Sequence, residues 1–260
     1  MITSQTLDLL SPWSLFFLIA VSLLLAFEAS IRLGKKIQQR WPDKSEVGVG
    51  TEVNAALTIL ALLLAFIINF SINIFNERRQ LVVSEANAIG TAYLRAGYLS
   101  EPYKAKSRQL LRDYLEYRLQ VIDPTNAEVA ITRSEMLQGR LWILAEDLAK
   151  NADSPSAALY ILSLNEVFDL NVARLNAEVE FRVPAIMIYG MFGVSILTMV
   201  LIGINDGYHE RYNRIALIVL VIILSVVFLL LIGLDRSNAG LLQVPLKPLI
   251  DLQQKLPHMP

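Results

Sequence analysis

Four long apolar segments dominate the pattern of hydrophobic and polar positions along the chain. They run from about 9 to 31, 55 to 75, 183 to 204 and 215 to 234, and the last three contain no Asp, Glu, Lys or Arg. At 1.5 Å per residue each segment is long enough to cross the ~30 Å hydrocarbon core of a bilayer. Because backbone amides find no water partner there, the pattern predicts four membrane-spanning helices.

A charged region of about a hundred residues separates the second apolar segment from the third. Residues 76–182 contain 13 Lys and Arg against 15 Asp and Glu, so this region is nearly neutral and solvated. Apolar residues recur there at helical spacing, and Gly97, Pro102, Pro124 and Pro155 mark helix ends or starts. We expect one helix to continue from the second span to Gly97, followed by helices over about 100–121, 127–150 and 155–181.

Each of the three later helices carries an apolar stripe, which predicts that they pack as a bundle or stalk. The stripes are Tyr103, Leu110, Tyr114, Tyr117 and Val121; then Leu137, Leu141, Leu144 and Leu148; then Ile161, Leu164, Phe168, Leu175 and Val179.

These elements predict an all-α polytopic membrane protein with four parts. Residues 1–75 hold spans one and two with a short basic loop, and 76–182 form a helical extramembrane domain. Residues 183–234 hold spans three and four, and the proline-containing tail 235–260 is expected to be irregular and to lie on the membrane surface.

The distribution of basic residues bears on the orientation of the spans. The N-terminal flank of the first span has no Lys or Arg, whereas its C-terminal flank has Arg32, Lys35, Lys36, Arg40 and Lys44. The positive-inside rule therefore predicts that the two short loops face the cytoplasm and that the domain lies outside.

Composition narrows the chemistry that the chain can perform. The chain has no cysteine, a net charge of −1, and two widely separated histidines, His209 and His258. We find no motif of a hydrolase, metalloprotease or nucleotide-binding enzyme. We therefore expect no catalytic residues, no metal or other cofactor, no nucleic-acid partner and no enzymatic activity; the expected partners are membrane lipid and an inorganic ion.

The second span carries a row of small and polar residues at steps of three or four, which places them on one helix face. These residues are Asn54, Thr58, Ala61, Ala65, Asn69, Asn73, Asn76 and Gln80. One interpretation is a wet face that borders a pore. The other, which the sequence favours, is a packing seam against the first or fourth span, because small residues permit close approach and amides bond across helices.

Three further features have both a functional and a structural interpretation. Glu28 lies inside the first span four residues before Arg32, which predicts an intrahelical ion pair. Gly190 and Gly193 are expected to be packing notches in the third span. Polar residues just beyond the second span could line a vestibule or join helices, and we favour the second role; they are Arg78, Arg79, Glu85, Asn87, Tyr93 and Arg95.

Several stretches resemble a family of bacterial membrane proteins of unknown function that is labelled bestrophin-like. They are FEASIRLGKK at 27–36, LALLLAFIINFS at 60–71, ERRQLVVSEANAIGTAYLRAGYL at 77–99, LLRDYLEYRL at 110–119 and LDRSNAGLLQVPLKPL at 234–249. The third of these is the most specific, and together they cover about half of the chain.

The resemblance implies an anion channel formed by a ring of identical subunits in a bacterial inner membrane. It also implies a constriction of bulky apolar residues one turn apart on the second span, where Leu62, Phe66 and Phe70 have that spacing. The acidic calcium site of true bestrophins has no counterpart here, and their domain is cytoplasmic, opposite to the orientation that the charges predict. The alternative function is a non-conducting receptor or scaffold whose helical domain binds a partner.

Overall fold

The computed structural model describes residues 10–40, 50–121, 125–151, 154–179, 182–209, 213–236 and 244–259. Within these ranges the chain forms α-helices and no strand, as predicted. The helices are α1 Pro12–Arg40, α2 Gly50–Ala96, α3 Tyr103–Gln120, α4 Ala127–Asn151, α5 Pro155–Val179, α6 Ala185–His209, α7 Arg214–Asp235 and α8 Lys247–Lys255, followed by a 3₁₀ turn at Leu256–His258. Helices α1, α2, α6 and α7 are long and apolar enough to cross a membrane, which confirms a multi-pass membrane protein.

The chain divides into two compact units. The membrane unit comprises Met1–Ile74 and Arg182–Leu242, and the helical unit comprises Phe75–Phe181 and Gln243–Pro260. Helix α2 is 47 residues long and contributes to both units, because its apolar first half runs without a Gly or Pro into a charged second half that still has strong helix formers. This continuity was predicted from the sequence.

The core of the membrane unit forms where the apolar faces of its four helices meet. Helix α1 packs along α6 and also contacts α7. Fully or nearly fully buried side chains come from every helix: Leu23 and Phe27 of α1, Leu60 and Ile67 of α2, Met199 of α6, and Val221, Phe228 and Leu231 of α7.

A close crossing of α1 and α6 depends on small residues in both helices. A Cβ added at Gly207 would meet the carbonyl oxygen of Ile31, one at Gly34 would meet that of Ile204, and one at Gly203 would meet Ser30. This is the close approach that small residues four positions apart allow in membranes. The prediction that Gly190 and Gly193 are packing notches is wrong within this chain, since an added Cβ there would meet nothing within 4 Å.

The helical unit has its own apolar core, to which the C-terminal helix α8 contributes. Leu249, Leu252 and Leu256 are buried in it, and a Cβ added at Gly90 of α2 would lie 3.2 Å from Leu252. The prediction of an irregular tail is therefore wrong for Lys247–Lys255. Residues 237–243 of the tail lie outside the described residues.

The buried faces of α3 and α5 differ from the predicted apolar stripes. Helix α3 buries Ser107, Leu111, Tyr114, Leu115 and Arg118, and Leu110 and Tyr117 are only partly buried. Helix α5 buries Tyr160, Leu164 and Val167 together with Ser163, Asn171 and Arg174. Each buried face includes an arginine. A prediction from apolar residues alone therefore placed the buried faces slightly wrongly. The α4 stripe was better predicted, with Leu137, Leu141 and Leu148 buried.

The α1–α6 crossing predicts a strong position dependence for glycine substitutions in α6. Gly207→Ala should lower the free energy of unfolding by about 1–3 kcal/mol, because the added methyl group overlaps a backbone carbonyl that cannot move freely. The matched control is Gly190→Ala on the same helix, where the methyl group enters open space. Thermal unfolding of the detergent-solubilised variants measures the difference, and equal midpoints for the two would contradict the crossing.

Candidate functional site

One face of α2 is covered by the chain along the whole helix. In the membrane unit the buried positions are Val53, Leu60, Leu64, Ile67, Ser71 and Ile74, and in the helical unit Arg78, Val82, Glu85 and Ile89 continue the same row. At about 100° per residue, steps of three, four and seven keep these residues on one side of the helix.

The opposite face of α2 carries the small and polar row, which we call the polar stripe: Asn54, Thr58, Ala61, Ala65, Asn69, Asn73, Asn76 and Gln80. Every one of these residues is exposed. The expected packing of this row against the first or fourth span of the same chain is therefore not observed. The exposure argues against a packing seam within the chain. The stripe instead faces the surroundings of the single chain.

Exposure of the polar stripe to lipid is unfavourable. Asparagine amides carry two donors and an acceptor, and hydrocarbon satisfies none of them. The Thr58 hydroxyl is satisfied within its own helix, because it donates to the carbonyl oxygen of Asn54 at 2.8 Å. Within the described ranges the side-chain amides of Asn69 and Asn73 make no such bond, so they favour contact with water or with another protein surface.

The predicted constriction residues lie beside the polar stripe on the same helix. Leu62, Phe66 and Phe70 are 56%, 64% and 41% exposed. They are spaced one turn apart and project from the part of α2 that the chain does not cover. The structure thus brings bulky apolar side chains and the amides together on one uncovered surface.

The polar cluster beyond the second span divides into a buried and an exposed part. Glu85 is fully buried and accepts a hydrogen bond from Nε of Arg118 at 2.5 Å and one from Nη1 of Arg174 at 2.5 Å. Arg78 is also buried, and its Nε donates to the carbonyl oxygen of Ala177 at 3.2 Å. These contacts join α2 to α3 and α5, which supports the structural role for Glu85 and Arg78 rather than the vestibule.

Tyr93 also belongs to the buried part. The guanidinium carbon of Arg108 lies 4.8 Å from the centre of its ring, and Nη1 of Arg112 donates to its hydroxyl at 3.2 Å. Arg95 is half-buried and donates to the carbonyl oxygen of Leu159 at 3.0 Å. Asn87 and Arg79 alone in this cluster point outward, since both are exposed on α2.

The surroundings of the Glu85 ion pairs are dry. Burial raises the pKa of the Tyr114 phenol, an effect that Arg118 opposes and Glu85 reinforces. Burial also raises the pKa of the Tyr160 phenol to about 12. Charges interact strongly in such an environment. Sequence analysis missed Arg118 and Arg174, although Arg118 follows Leu111 and Tyr114 at helical spacing and so occupied a core position in the pattern.

Two further features lie outside these groups. Glu28 and Arg32 are both exposed on α1, and the ion pair between them stays a prediction. Within the described ranges, no group of three or more His, Cys, Asp or Glu side chains is arranged to hold a metal ion.

Comparison with known proteins places the chain in a family. The model of the bestrophin-like domain matches residues 15–249, so the chain belongs to the bestrophin-like family. The resemblance that the sequence motifs indicated is thereby confirmed. A comparison with curated proteins and one with solved structures gave no match.

The Glu85 ion pairs predict a large effect of a small substitution. Glu85→Gln should lower the free energy of unfolding by about 3–5 kcal/mol, because it leaves two buried guanidinium groups without their shared carboxylate. Glu77→Gln, at an exposed position of the same helix, is the matched control and should change little. Chemical unfolding followed by circular dichroism measures both. A Glu85 variant as stable as the Glu77 variant would show that the ion pairs do not hold these helices.

Proposed function

We propose that the chain is one subunit of a homo-oligomeric ion channel, and that the polar stripe of α2 borders its water-filled pathway. The observation that carries this proposal is the exposure of all eight stripe residues on a helix whose other face is buried. The proposed activity is ion conduction, most simply of anions, and it involves no catalysis.

The environment of the stripe supports assembly. In a single copy the stripe would face lipid, where polar side chains find few partners. Rotational symmetry repeats one surface around an axis, so several copies enclose several stripes and remove all of them from lipid together. Membership in the bestrophin-like family supports a pathway shared among subunits.

The chemistry of the stripe suits a pathway for ions. Its eight residues carry amide, hydroxyl and methyl groups and no charge. Amide N–H groups can donate to an anion at modest strength, which favours passage over tight binding. Arg79, which is exposed beyond the membrane-spanning part of α2, adds a positive charge near the same surface.

Leu62, Phe66 and Phe70 provide a physical means of closing the pathway. A ring of bulky apolar side chains obstructs ions by excluding water from a narrow section. Their exposure on α2 next to the stripe leaves them available to form such a ring in the assembly.

A second candidate function is a non-conducting receptor or scaffold. A surface groove of about 600 Å³ between α3 and α4 supports it, with Leu110, Ile143 and Leu144 in its wall and Lys106, Asp113, Arg140 and Asp147 around them. Protein interfaces combine buried apolar residues with a polar rim. This function gives no reason for the uncovered polar stripe, so we prefer the channel.

Ion flux into liposomes that contain the purified protein tests the proposal. Phe66→Ala should raise the flux because it widens and wets the constriction, and Asn69→Leu should lower it because it removes a polar group from the pathway. Phe17→Ala is the control for the first change, since Phe17 is 61% exposed on α1 against 64% for Phe66.

Two results would contradict the channel. One is a flux that responds equally to Phe66→Ala and Phe17→Ala. The other is a detergent-solubilised mass that corresponds to a single chain of 29.1 kDa under mild conditions, since one copy cannot enclose the stripe.

A further inference from the structure

A pocket of about 250 Å³ lies in the membrane unit, between the first turns of α1 and α6 and the last turns of α7. We call it the α1–α6–α7 pocket. Its floor consists of side chains that are nearly fully buried, namely Leu15, Ile19, Ile188, Phe228 and Ile232. Its rim includes Leu18 and Tyr189, which are 59% and 40% exposed. The pocket therefore reaches into the core of the membrane unit and opens to the surroundings of its helices.

The pocket lies away from the close crossing of α1 and α6. At that crossing a Cβ added at Gly207 would meet the carbonyl oxygen of Ile31, whereas one added at Gly190, beside the pocket, would meet nothing within 4 Å. Two helices that cross at an angle separate on either side of the crossing. The rings of Phe192 and Phe228, packed edge to face with centres 5.9 Å apart, fill part of the gap, and the pocket is the remainder.

Hydrogen bonds fix the helix ends next to the pocket. A carboxylate oxygen of Asp235, at the end of α7, accepts from the backbone N–H of Val183, just before α6, at 2.6 Å. Nη2 of Arg236 donates to the carbonyl oxygen of Leu10, just before α1, at 2.9 Å. These bonds join the starts of α1 and α6 to the end of α7. The pocket is therefore a preformed feature of the fold, as ligand sites usually are.

The wall of the pocket is suited to an apolar guest. No lining residue is charged, and hydroxyl groups come from Ser22 and Tyr189 alone among the described lining residues. The Ser22 hydroxyl already donates to the carbonyl oxygen of Ile19 at 2.8 Å. Apolar cavities stay dry, and one of ~150 Å³ takes a benzene molecule. A pocket of about 250 Å³ therefore has room for a longer hydrocarbon segment.

The surroundings of the rim favour lipid as the source of that hydrocarbon. All three helices are long and apolar enough to cross a membrane. Next to the rim, α1 exposes Trp13, Phe17 and Val21, which need neither water nor a protein partner, in contrast to the polar stripe of α2. Trp13 and Tyr189 lie in the first two turns of α1 and α6. Such residues are enriched at the level of the lipid headgroups.

We propose that the α1–α6–α7 pocket binds one acyl chain of a membrane phospholipid, whose headgroup lies at the level of Trp13 and Tyr189. A chain in the pocket gains dispersion contacts with the buried floor that an empty pocket would forgo. The inference does not rest on the proposed channel, because the pocket is formed by α1, α6 and α7 and the polar stripe belongs to α2.

Photolabelling in a bilayer tests the site. The full chain is reconstituted in phosphatidylcholine vesicles that contain a small fraction of the same lipid with a carbene-forming group in the middle of one acyl chain. After illumination, mass spectrometry locates the adducts. We expect adducts at Ile19 and Phe228 of the floor as well as at the exposed Phe17. Leu23 is the matched control, since it is buried one turn beyond Ile19 and outside the pocket, and it should carry none.

A substitution that fills the pocket provides the second test. Ser22→Phe should abolish the adducts at Ile19 and Phe228 and leave those at Phe17, because the new ring occupies the space of the acyl chain. Val21→Phe, at the neighbouring exposed position, should leave all three. Thermal unfolding checks that both variants fold, and Ser22→Leu replaces the larger substitution if its melting temperature falls.

Two results would overturn the lipid site. One is labelling of Phe17 without labelling of Ile19 or Phe228 in the unaltered chain, because the pocket would then be closed or covered by a second copy. That measurement decides the matter even if the Ser22 variants fail to fold. The other is floor labelling that a folded Ser22 variant retains in full, because the label would then reach the floor by another route.

Discussion

Polar side chains are poorly solvated by lipid, and the chain places a row of them on the side of α2 that it leaves uncovered. The opposite side of the helix carries the residues that bind it to the rest of the chain, from Val53 through Ile89. The two faces of α2 therefore have different roles. One fixes α2 in the subunit, and the other requires an environment that a single subunit in a bilayer does not supply.

The ion pairs of Glu85 explain how the second half of the same helix is held. Glu85 of α2, Arg118 of α3 and Arg174 of α5 meet in a dry interior, where removal of one charge is more costly than at a surface. Ion pairs also demand particular geometry, so they specify which faces of the three helices meet. Helix α2 is one uninterrupted helix of 47 residues. The ion pairs that hold its second half in the helical unit therefore also determine the direction in which Gln80 and Asn87 point.

Local sequence signals were sufficient to predict the helices but insufficient to predict the contacts between them. Apolar length predicted the four spans, and the positions of Gly97, Pro102 and Pro155 predicted helix limits to within a few residues.

Burial of Arg118 and Arg174 was missed because it depends on a carboxylate that is distant in sequence. Gly190 and Gly193 were predicted to be packing notches and the close approach at Gly203 and Gly207 was missed, because the sequence does not tell which face of the helix meets a neighbour. Helix α8 was missed because its prolines outweighed the spacing of Leu249, Leu252 and Leu256. The polar stripe was found by periodicity, but its exposure is a property of the tertiary structure.

The access of water to α2 in the assembled protein tests the central claim most directly. Single cysteines at Asn69, Ile67 and Phe17 sample the stripe, the buried face of α2 and an exposed apolar position on α1. The rate of reaction with a small hydrophilic thiol reagent is measured in liposomes, because thiols react as thiolates and these form in water rather than in lipid. Our account predicts that Asn69→Cys reacts much faster than either of the other two. A rate at Asn69→Cys no higher than that at Phe17→Cys would contradict it, because the stripe would then face lipid or a dry protein contact.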